Sequence, residues 1–243
     1  MATSNLNEDK HHRRPGPQIK VCGLTRADEA AACAKLGVHA IGCVFYPKSP
    51  RHVTPGRAKA IVRSLPAGVT PVGVFVNESI SAIADTVDRS GIQAVQLHGD
   101  ESPDLVEKLA TEGLLVIKAL FVGRAPHIEQ ASEFFARAFL VECGKGMLPG
   151  GNALTWNWEI ARPAAERYPL ILAGGLTPEN VGDAVHAALP DAVDVSSGVE
   201  SAPGRKDLKK VASFINAVRK ARTAPGSEKK QMRRIFQCRK PSI

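Results

Sequence analysis

Short apolar runs rich in β-branched residues recur along the chain, and each is followed by a longer segment with helical character. The eight runs occupy residues 19–24, 40–45, 71–76, 94–99, 114–120, 138–143, 170–175 and 192–198. Helices are predicted near 26–37, 55–65, 79–90, 102–112, 127–137, 156–167, 178–188 and 206–221. Eight strands alternating with eight helices predict the α/β class and, within it, a single closed (β/α)8 TIM barrel.

The runs are almost continuously apolar, as expected for parallel strands covered by helices. A doubly wound open sheet is the main alternative, but eight regular units favour closure. Ser102-Pro103-Asp104 and Thr177-Pro178-Glu179 predict helix starts, with a hydroxyl cap before a proline. The barrel domain is placed at 19–222. Residues 1–18 and the basic tail at 223–243 show no periodic pattern, and both are expected to be disordered extensions.

Polar side chains interrupt the apolar runs where a barrel of this class carries its active site, at the carboxyl ends of the strands. Cys22 ends the first run, His98 the fourth and Glu142 the sixth, and Asp194 lies in the eighth. Alternation along a strand puts Lys20 on the same face as Cys22. If these faces point inward, a thiol, an imidazole and two carboxylates meet in one mouth.

The loops after the seventh and eighth runs predict a phosphate site. Barrels of this class commonly bind phosphate there, beside a helix N-terminus. Glycines let backbone N–H groups approach an anion closely, and serines add further donors. The candidate residues are Gly174 and Gly175 in the first loop and Ser196, Ser197 and Gly198 in the second.

Composition narrows the function classes. The apolar content of 44% supports a buried core, and the sequence has neither a membrane-length apolar run nor an N-terminal apolar signal region. A cytoplasmic location without membrane association is expected. The five cysteines form no CxxC pair and have no metal-like spacing with histidines, so neither a disulfide framework nor a metal site is predicted.

The net charge of +8 lies in the C-terminal tail. Nine Lys/Arg and one Glu between Arg219 and Ile243 account for all of it, and the rest of the chain is neutral. Phe236 is the single aromatic residue in this stretch, which weakens the case for base stacking. A solvated tail is favoured over a nucleic-acid-binding one.

Six segments resemble the phosphoribosylanthranilate isomerase family, in that family's order and across residues 19 to about 220. They are KVCGLT (20–25), FYPKSPRHV (45–53), VGVFVN (72–77), VQLHGDE (95–101), LAGGLTPENV (172–181) and VDVSSGVESAPGRKD (193–207). The resemblance implies a (β/α)8 barrel with no metal or organic cofactor and a small-molecule substrate. It implies the Amadori rearrangement of N-(5′-phosphoribosyl)anthranilate to 1-(2-carboxyphenylamino)-1-deoxyribulose 5-phosphate in tryptophan biosynthesis.

The resemblance assigns a general base and a general acid. The acid protonates the furanose ring oxygen, and the base removes the C2′ proton of the resulting iminium ion. Cys22 matches the base. A thiol acts only as thiolate, so its pKa is expected to lie below the free value of about 8.5, with Lys20 as the candidate stabilising charge.

The sequence departs from the family pattern at the acid. An aspartate followed by a glycine-rich loop is expected after the sixth strand, but Glu142 stands there and Asn152 lies roughly at the loop threonine position. Glutamate has the same chemistry with one more methylene, so Glu142 is predicted as the acid. Arg51 matches the residue that holds the anthranilate carboxylate. His98 and Asp194 match positions that line the sugar site.

Three other functions stay open at this stage. A histidine-pathway aminoaldose isomerase uses two aspartates and a doubled phosphate signature, and an indole-glycerol-phosphate synthase needs several catalytic lysines, of which Lys118 alone is a candidate. A catalytically weakened phosphate-binding barrel with a regulatory or nucleic-acid-binding basic tail is the third. The oligomeric state is expected to be monomer or homodimer.

Overall fold

A computed structural model describes residues 16–144, 155–221 and 231–236, in which eight parallel strands form a closed barrel. The strands follow chain order, and β1 pairs with both β2 and β8. They are β1 (Gln18–Cys22), β2 (Ala40–Val44), β3 (Thr70–Phe75), β4 (Ala94–Leu97), β5 (Leu115–Phe121), β6 (Ala138–Glu142), β7 (Leu170–Leu172) and β8 (Ala192–Val195). The predicted barrel is confirmed, and the open sheet is wrong.

Helices cover the outside of the barrel. They are α1 (Ala27–Leu36), α2 (Pro55–Arg63), α3 (Ile80–Ser90), α4 (Pro103–Thr111), α5 (Arg162–Arg167), α6 (Val181–Ala188) and α7 (Leu208–Ala221). A short antiparallel hairpin, β9 (Glu200–Ala202) with β10 (Arg205–Lys206), follows β8.

The helix expected over 127–137 is wrong. Only a 3₁₀ helix over Ile128–Glu133 follows β5, and Phe134 leaves it in extended backbone. Phe134 is buried, with its ring 5.8 Å from the ammonium of Lys118. This tertiary contact overrides the helical spacing of the segment.

The helix starts are partly as predicted. Ser102 caps α4, its hydroxyl accepting from the backbone N–H of Leu105 at 3.3 Å. Thr177 does not cap α6, which begins at Val181. Its hydroxyl instead accepts from Glu179 N within the turn before the helix.

Side chains alternate between two separate cores along the strands. Outward residues such as Ile19, Val21 and Ile41 pack beneath the helices in the larger core. Inward residues form a second cluster inside the barrel, which includes Ile117 and Leu140. The inward set has the parity of Cys22, His98, Glu142 and Asp194, so the predicted facing of the strands is confirmed.

The C-terminal residues 231–236 pack against the barrel. Ile235 and Phe236 belong to the interior cluster and are 0% and 2% exposed. The expectation of a disordered tail therefore does not hold for these six residues, because two apolar side chains find a buried site. The remainder of the predicted tail, and residues 1–15 of the N-terminal extension, lie outside the described residues.

Among the described residues, no helix combines the length and apolar character needed to cross a bilayer. In the same part of the chain the cysteines 22, 33, 43 and 143 are buried free thiols. No group of histidine, cysteine and carboxylate side chains there has the geometry to hold a metal ion.

Candidate active site

Cys22 ends β1 inside the barrel, opposite Gly42 on β2. A Cβ on Gly42 would lie 2.6 Å from the Cys22 Sγ, so the missing side chain provides the space that the thiol occupies. Burial raises the pKa of the Cys22 thiol, and Lys20 acts in the opposite direction without cancelling it. The expectation that the protein's own groups lower this pKa is therefore wrong, because desolvation outweighs the lysine charge.

Lys20 is fully buried and donates from Nζ to Asp194 Oδ2 at 2.7 Å. Burial by itself lowers the pKa of Lys20, but the charge of Asp194 raises it above the ordinary value, so the ammonium stays charged. The other oxygen of Asp194, Oδ1, is buried and has no hydrogen-bond partner among the described residues. This orphan acceptor is suited to a ligand hydroxyl.

Glu142 ends β6 and contacts His98 from β4. His98 Nε2 and Glu142 Oε1 are 3.3 Å apart, and Gln96 Nε2 lies 2.9 Å from His98 Nδ1. Phe121 meets the His98 ring edge-on at 5.6 Å between centroids and helps to fix its orientation. Gln96 thus orients His98, and His98 contacts one oxygen of the Glu142 carboxyl, Oε1.

Arg51 lies in the loop after β2 and forms a two-point ion pair with Glu200 at the start of β9. Its Nε and Nη2 donate to the two carboxylate oxygens at 2.9 and 2.7 Å. The family resemblance implies that this guanidinium binds a substrate carboxylate. One of its two bidentate edges is already used, and the Nη1–Nη2 edge is left for a ligand.

Lys206 joins the same cluster from β10. Its ammonium donates to Glu200 Oε1 at 2.7 Å and to the carbonyl of Ser196 at 3.1 Å. Burial raises the pKa of Glu200, but Arg51 and Lys206 together hold it below its ordinary range. The Glu200 carboxylate therefore lies between the cations of Arg51 and Lys206, and these contacts hold the hairpin at the barrel mouth.

The two loops assigned to phosphate lie side by side. Gly174 and Gly175 both have positive φ, 86° and 67°, which a side chain would strain. A Cβ on Gly198 would collide with the carbonyl of Leu176, so the second loop packs directly on the first. Ser196 donates to the Cys22 carbonyl at 3.1 Å, which ties this site to the thiol strand.

Trp156 was not singled out in the sequence. Its indole N–H donates to the Ala173 carbonyl at 3.0 Å, and a Cβ on Gly174 would be 2.9 Å from that nitrogen and 3.2 Å from the Cβ of Glu142. Gly174 therefore packs against both the indole of Trp156 and the stem of Glu142. No spacing or motif in the sequence indicated this position.

Cys22, His98, Glu142 and Asp194 are all buried at one mouth of the barrel. Arg51 is connected to this mouth by its ion pair with Glu200. The sequence analysis did not single out Glu200 or Lys206, although segment 193–207 contains both. Lys118 points outside the barrel and pairs with Glu101 at 2.7 Å. Asn152 lies outside the described residues.

The fold and the site together define a (β/α)8-barrel protein with acid–base side chains at the carboxyl ends of its strands. A family model, N-(5′-phosphoribosyl)anthranilate (PRA) isomerase, matches residues 19–217. The N-(5′-phosphoribosyl)anthranilate isomerase of Desulfatibacillum aliphaticivorans is 52% identical over 198 residues, which cover 82% of this chain and 91% of that protein.

Solved structures agree with this match. The crystal structure of phosphoribosyl anthranilate isomerase from Thermotoga maritima has a TM-score of 0.77 at 40% identity, covering 84% of this chain and 99% of that one. A phosphoribosyl anthranilate isomerase in complex with reduced 1-(o-carboxyphenylamino)-1-deoxyribulose 5-phosphate has a TM-score of 0.74 at 39% identity, with the same coverage. The chain belongs to the N-(5′-phosphoribosyl)anthranilate isomerase family.

Proposed function

We propose that this barrel isomerises N-(5′-phosphoribosyl)anthranilate in tryptophan biosynthesis, with Cys22 as general base and Glu142 as general acid. The observation that carries these roles is that the thiol and the carboxyl are buried on the inner face of the same barrel mouth. Family membership supports this reaction over the histidine-pathway aminoaldose isomerase, the indole-glycerol-phosphate synthase and the catalytically weakened barrel.

The acid step opens the sugar. Protonated Glu142 gives its proton to the furanose ring oxygen, the C1′–O bond breaks, and the anilino nitrogen supplies the electron pair that forms the iminium ion. His98 contacts Oε1, so it orients the carboxyl and leaves Oε2 for the substrate. His98 acts on the reaction through Glu142.

The base step moves the double bond. Cys22, as thiolate, removes the C2′ proton, the C–H electrons form the C1′–C2′ double bond, and the iminium nitrogen is neutralised. The resulting enolamine tautomerises to the ketone. Burial raises the pKa of the Cys22 thiol, so the thiolate needs a positive charge close to it. The iminium ion formed in the acid step supplies that charge.

Three anchors hold the substrate. The free edge of Arg51 binds the anthranilate carboxylate end-on, because Glu200 occupies the other edge. The orphan Oδ1 of Asp194 accepts a ribose hydroxyl. Backbone N–H groups of Gly174, Gly175, Ser196 and Gly198 with the hydroxyl of Ser197 bind the phosphate, next to β1, because the Ser196 hydroxyl already donates to the Cys22 carbonyl.

The test compares Cys22→Ser and Glu142→Gln with Cys43→Ser, which removes a buried thiol from the outer face of the neighbouring strand. The loss of phosphoribosylanthranilate fluorescence measures turnover. We expect kcat to fall by at least 10³-fold in the first two variants, with binding of a product analogue retained, and to stay within about threefold in the control. Near-normal turnover in Cys22→Ser would remove the thiol from the mechanism.

A biosynthetic enzyme of this kind works in the cytoplasm and needs no cofactor for an internal proton shift. Its partner is the small-molecule substrate, and monomer or homodimer remains the expected oligomeric state. A sedimentation experiment at micromolar concentration distinguishes these two states.

A further inference from the structure

The end of the barrel opposite the catalytic mouth is built with small side chains. Each even-numbered strand begins with an alanine, and all four belong to the interior cluster. These are Ala40, Ala94, Ala138 and Ala192. Alternate strands contribute side chains to one layer of a barrel, so four alanines in one layer leave room at the centre of that end.

The chain fills this room with its own C-terminal residues. Ile235 and Phe236 join the same cluster as the four alanines and are almost completely buried. Both lie beyond residue 217, where the family match ends. The apolar contact is therefore an addition to the family barrel.

The segment is also held by specific polar contacts. Gln18, at the start of β1, accepts from the backbone N–H groups of Ile235 at 2.7 Å and Phe236 at 3.0 Å, and its amide nitrogen lies 3.4 Å from the Phe236 carbonyl. Buried Asp191 accepts from Arg233 N at 2.8 Å. Gln18 and Asp191 thus bind backbone groups at the two ends of the segment, as a peptide-binding site does.

Arginine contacts complete the recognition. The Arg233 guanidinium donates to the carbonyls of Ala165 at 3.3 Å and Glu166 at 2.6 Å, and it lies 3.6 Å from Asp191 Oδ2. Arg137, which precedes β6, donates to the Arg234 carbonyl at 2.8 Å. Five residues from four separate parts of the chain therefore hold four consecutive residues of the segment.

We propose that the alanine-lined end of the barrel is a peptide-binding site for the sequence Arg-Arg-Ile-Phe, occupied in cis by residues 233–236. The two apolar side chains fill the hollow, Gln18 and Asp191 fix the backbone, and the guanidinium of Arg233 sets the direction. The site adds stability to the barrel and takes no part in turnover, because the chemistry lies at the opposite mouth.

The test uses the full chain with Ile235→Ala and Phe236→Ala combined. The matched control is Phe135→Ala, which deletes the same ring from a side chain that is 68% exposed. We expect the double variant to unfold at least about 5 °C lower with kcat and KM within twofold of the parent, and the control to unfold within about 1 °C of the parent.

A capped synthetic peptide of residues 230–237 is then added to the double variant. Because a ligand that binds only the folded state stabilises it, the peptide should raise the melting temperature in a concentration-dependent way. The same peptide with both alanines should have no effect, and neither peptide should bind the parent, whose site is filled.

Two further sets of results also test the proposal that this end of the barrel binds the segment. An unchanged melting temperature of the double variant, or failure of the parent-sequence peptide to bind it, would overturn the proposal. If the double variant does not fold, recovery of active protein on refolding with the parent-sequence peptide supports the proposal, and no recovery contradicts it.

Discussion

At the scale of single residues, Cys22, the proposed general base, lies where burial disfavours the thiolate that this role needs. The thiol is deep in the barrel, and burial raises its pKa even with Lys20 two residues away on the same face. The free enzyme therefore holds little thiolate at neutral pH. A raised pKa means that the reactive form increases only as the pH rises past the ordinary thiol range of about 8.5.

The pH profile tests this. We expect kcat/KM to keep rising with pH above about 8.5, since that parameter follows ionisation in the free enzyme. Stopped-flow fluorescence from pH 6 to pH 10 measures it, and thermal unfolding at each pH monitors the fold. A profile that levels off near neutral pH would contradict the raised pKa.

Gly42 gives a second prediction at this scale. A methyl group there would come within 2.6 Å of the Cys22 sulfur, and the strand backbone cannot yield, so the thiol must move. Gly42→Ala should lower kcat by about 10- to 100-fold, because misplacement of a reacting group by about 1 Å has that cost. Gly56→Ala is the control, since no atom of the described residues lies within 4 Å of its added Cβ. Equal rates in the two variants would show that the thiol position does not matter.

At the scale of elements, the strands were predicted closely and the helices less so. Each strand overlaps its apolar run, and β1, β3 and β5 extend one residue beyond it, because covering on both sides leaves a contiguous signal in the sequence. The segment 156–167 was expected as one helix, but Pro163 lies in the first turn of α5, which begins only at Arg162 after a 3₁₀ turn. The 127–137 error has a different cause, the burial of Phe134 against Lys118.

The candidate site divides in the same way. Strand parity predicted that Cys22, His98 and Glu142 converge, since alternation is a local property of the chain. The pairing of Arg51 with Glu200 spans 149 residues and depends on where the β9–β10 hairpin folds back, which no local pattern encodes. The position of Trp156 could not be predicted for the same reason, because it is set by tertiary contact with Gly174 and the Ala173 carbonyl.

The β4–α4 loop depends on an ion pair outside the barrel. Lys118 donates to Glu101 and to the Gly99 carbonyl, both at 2.7 Å, directly after His98. Lys118→Met should lower the free energy of unfolding by about 3–5 kcal/mol, because it leaves a buried carboxylate unpaired. Urea denaturation measures this, with Lys108→Met on the exposed face of α4 as the control. A loss below about 1 kcal/mol would show that the pair is not needed for the fold.

At the scale of the whole molecule, the barrel separates its tasks between two ends. The proposed catalytic residues lie where the strands finish, and the alanine layer with residues 235 and 236 lies where they begin. The four steps from Gln18 to Cys22 along β1 span about 13 Å. Effects at this separation are normally additive.

This separation predicts additive behaviour. Phe236→Ala should lower the melting temperature by the same amount in the Cys22→Ser background as in the parent, within about 1 °C. Differential scanning calorimetry of the two single variants, the double variant and the parent measures the coupling. A shift that depends on the residue at position 22 would show that the two ends communicate.

The occupied edge of Arg51 has a consequence for inhibitor design. Glu200 accepts from Nε and Nη2, so an aromatic acid must approach along the axis of the arginine side chain. A carboxylate that pairs with the remaining Nη1–Nη2 edge at two points lies close to the guanidinium plane. If Arg51 binds the substrate carboxylate as proposed, an inhibitor should present its acid in that plane and from that direction.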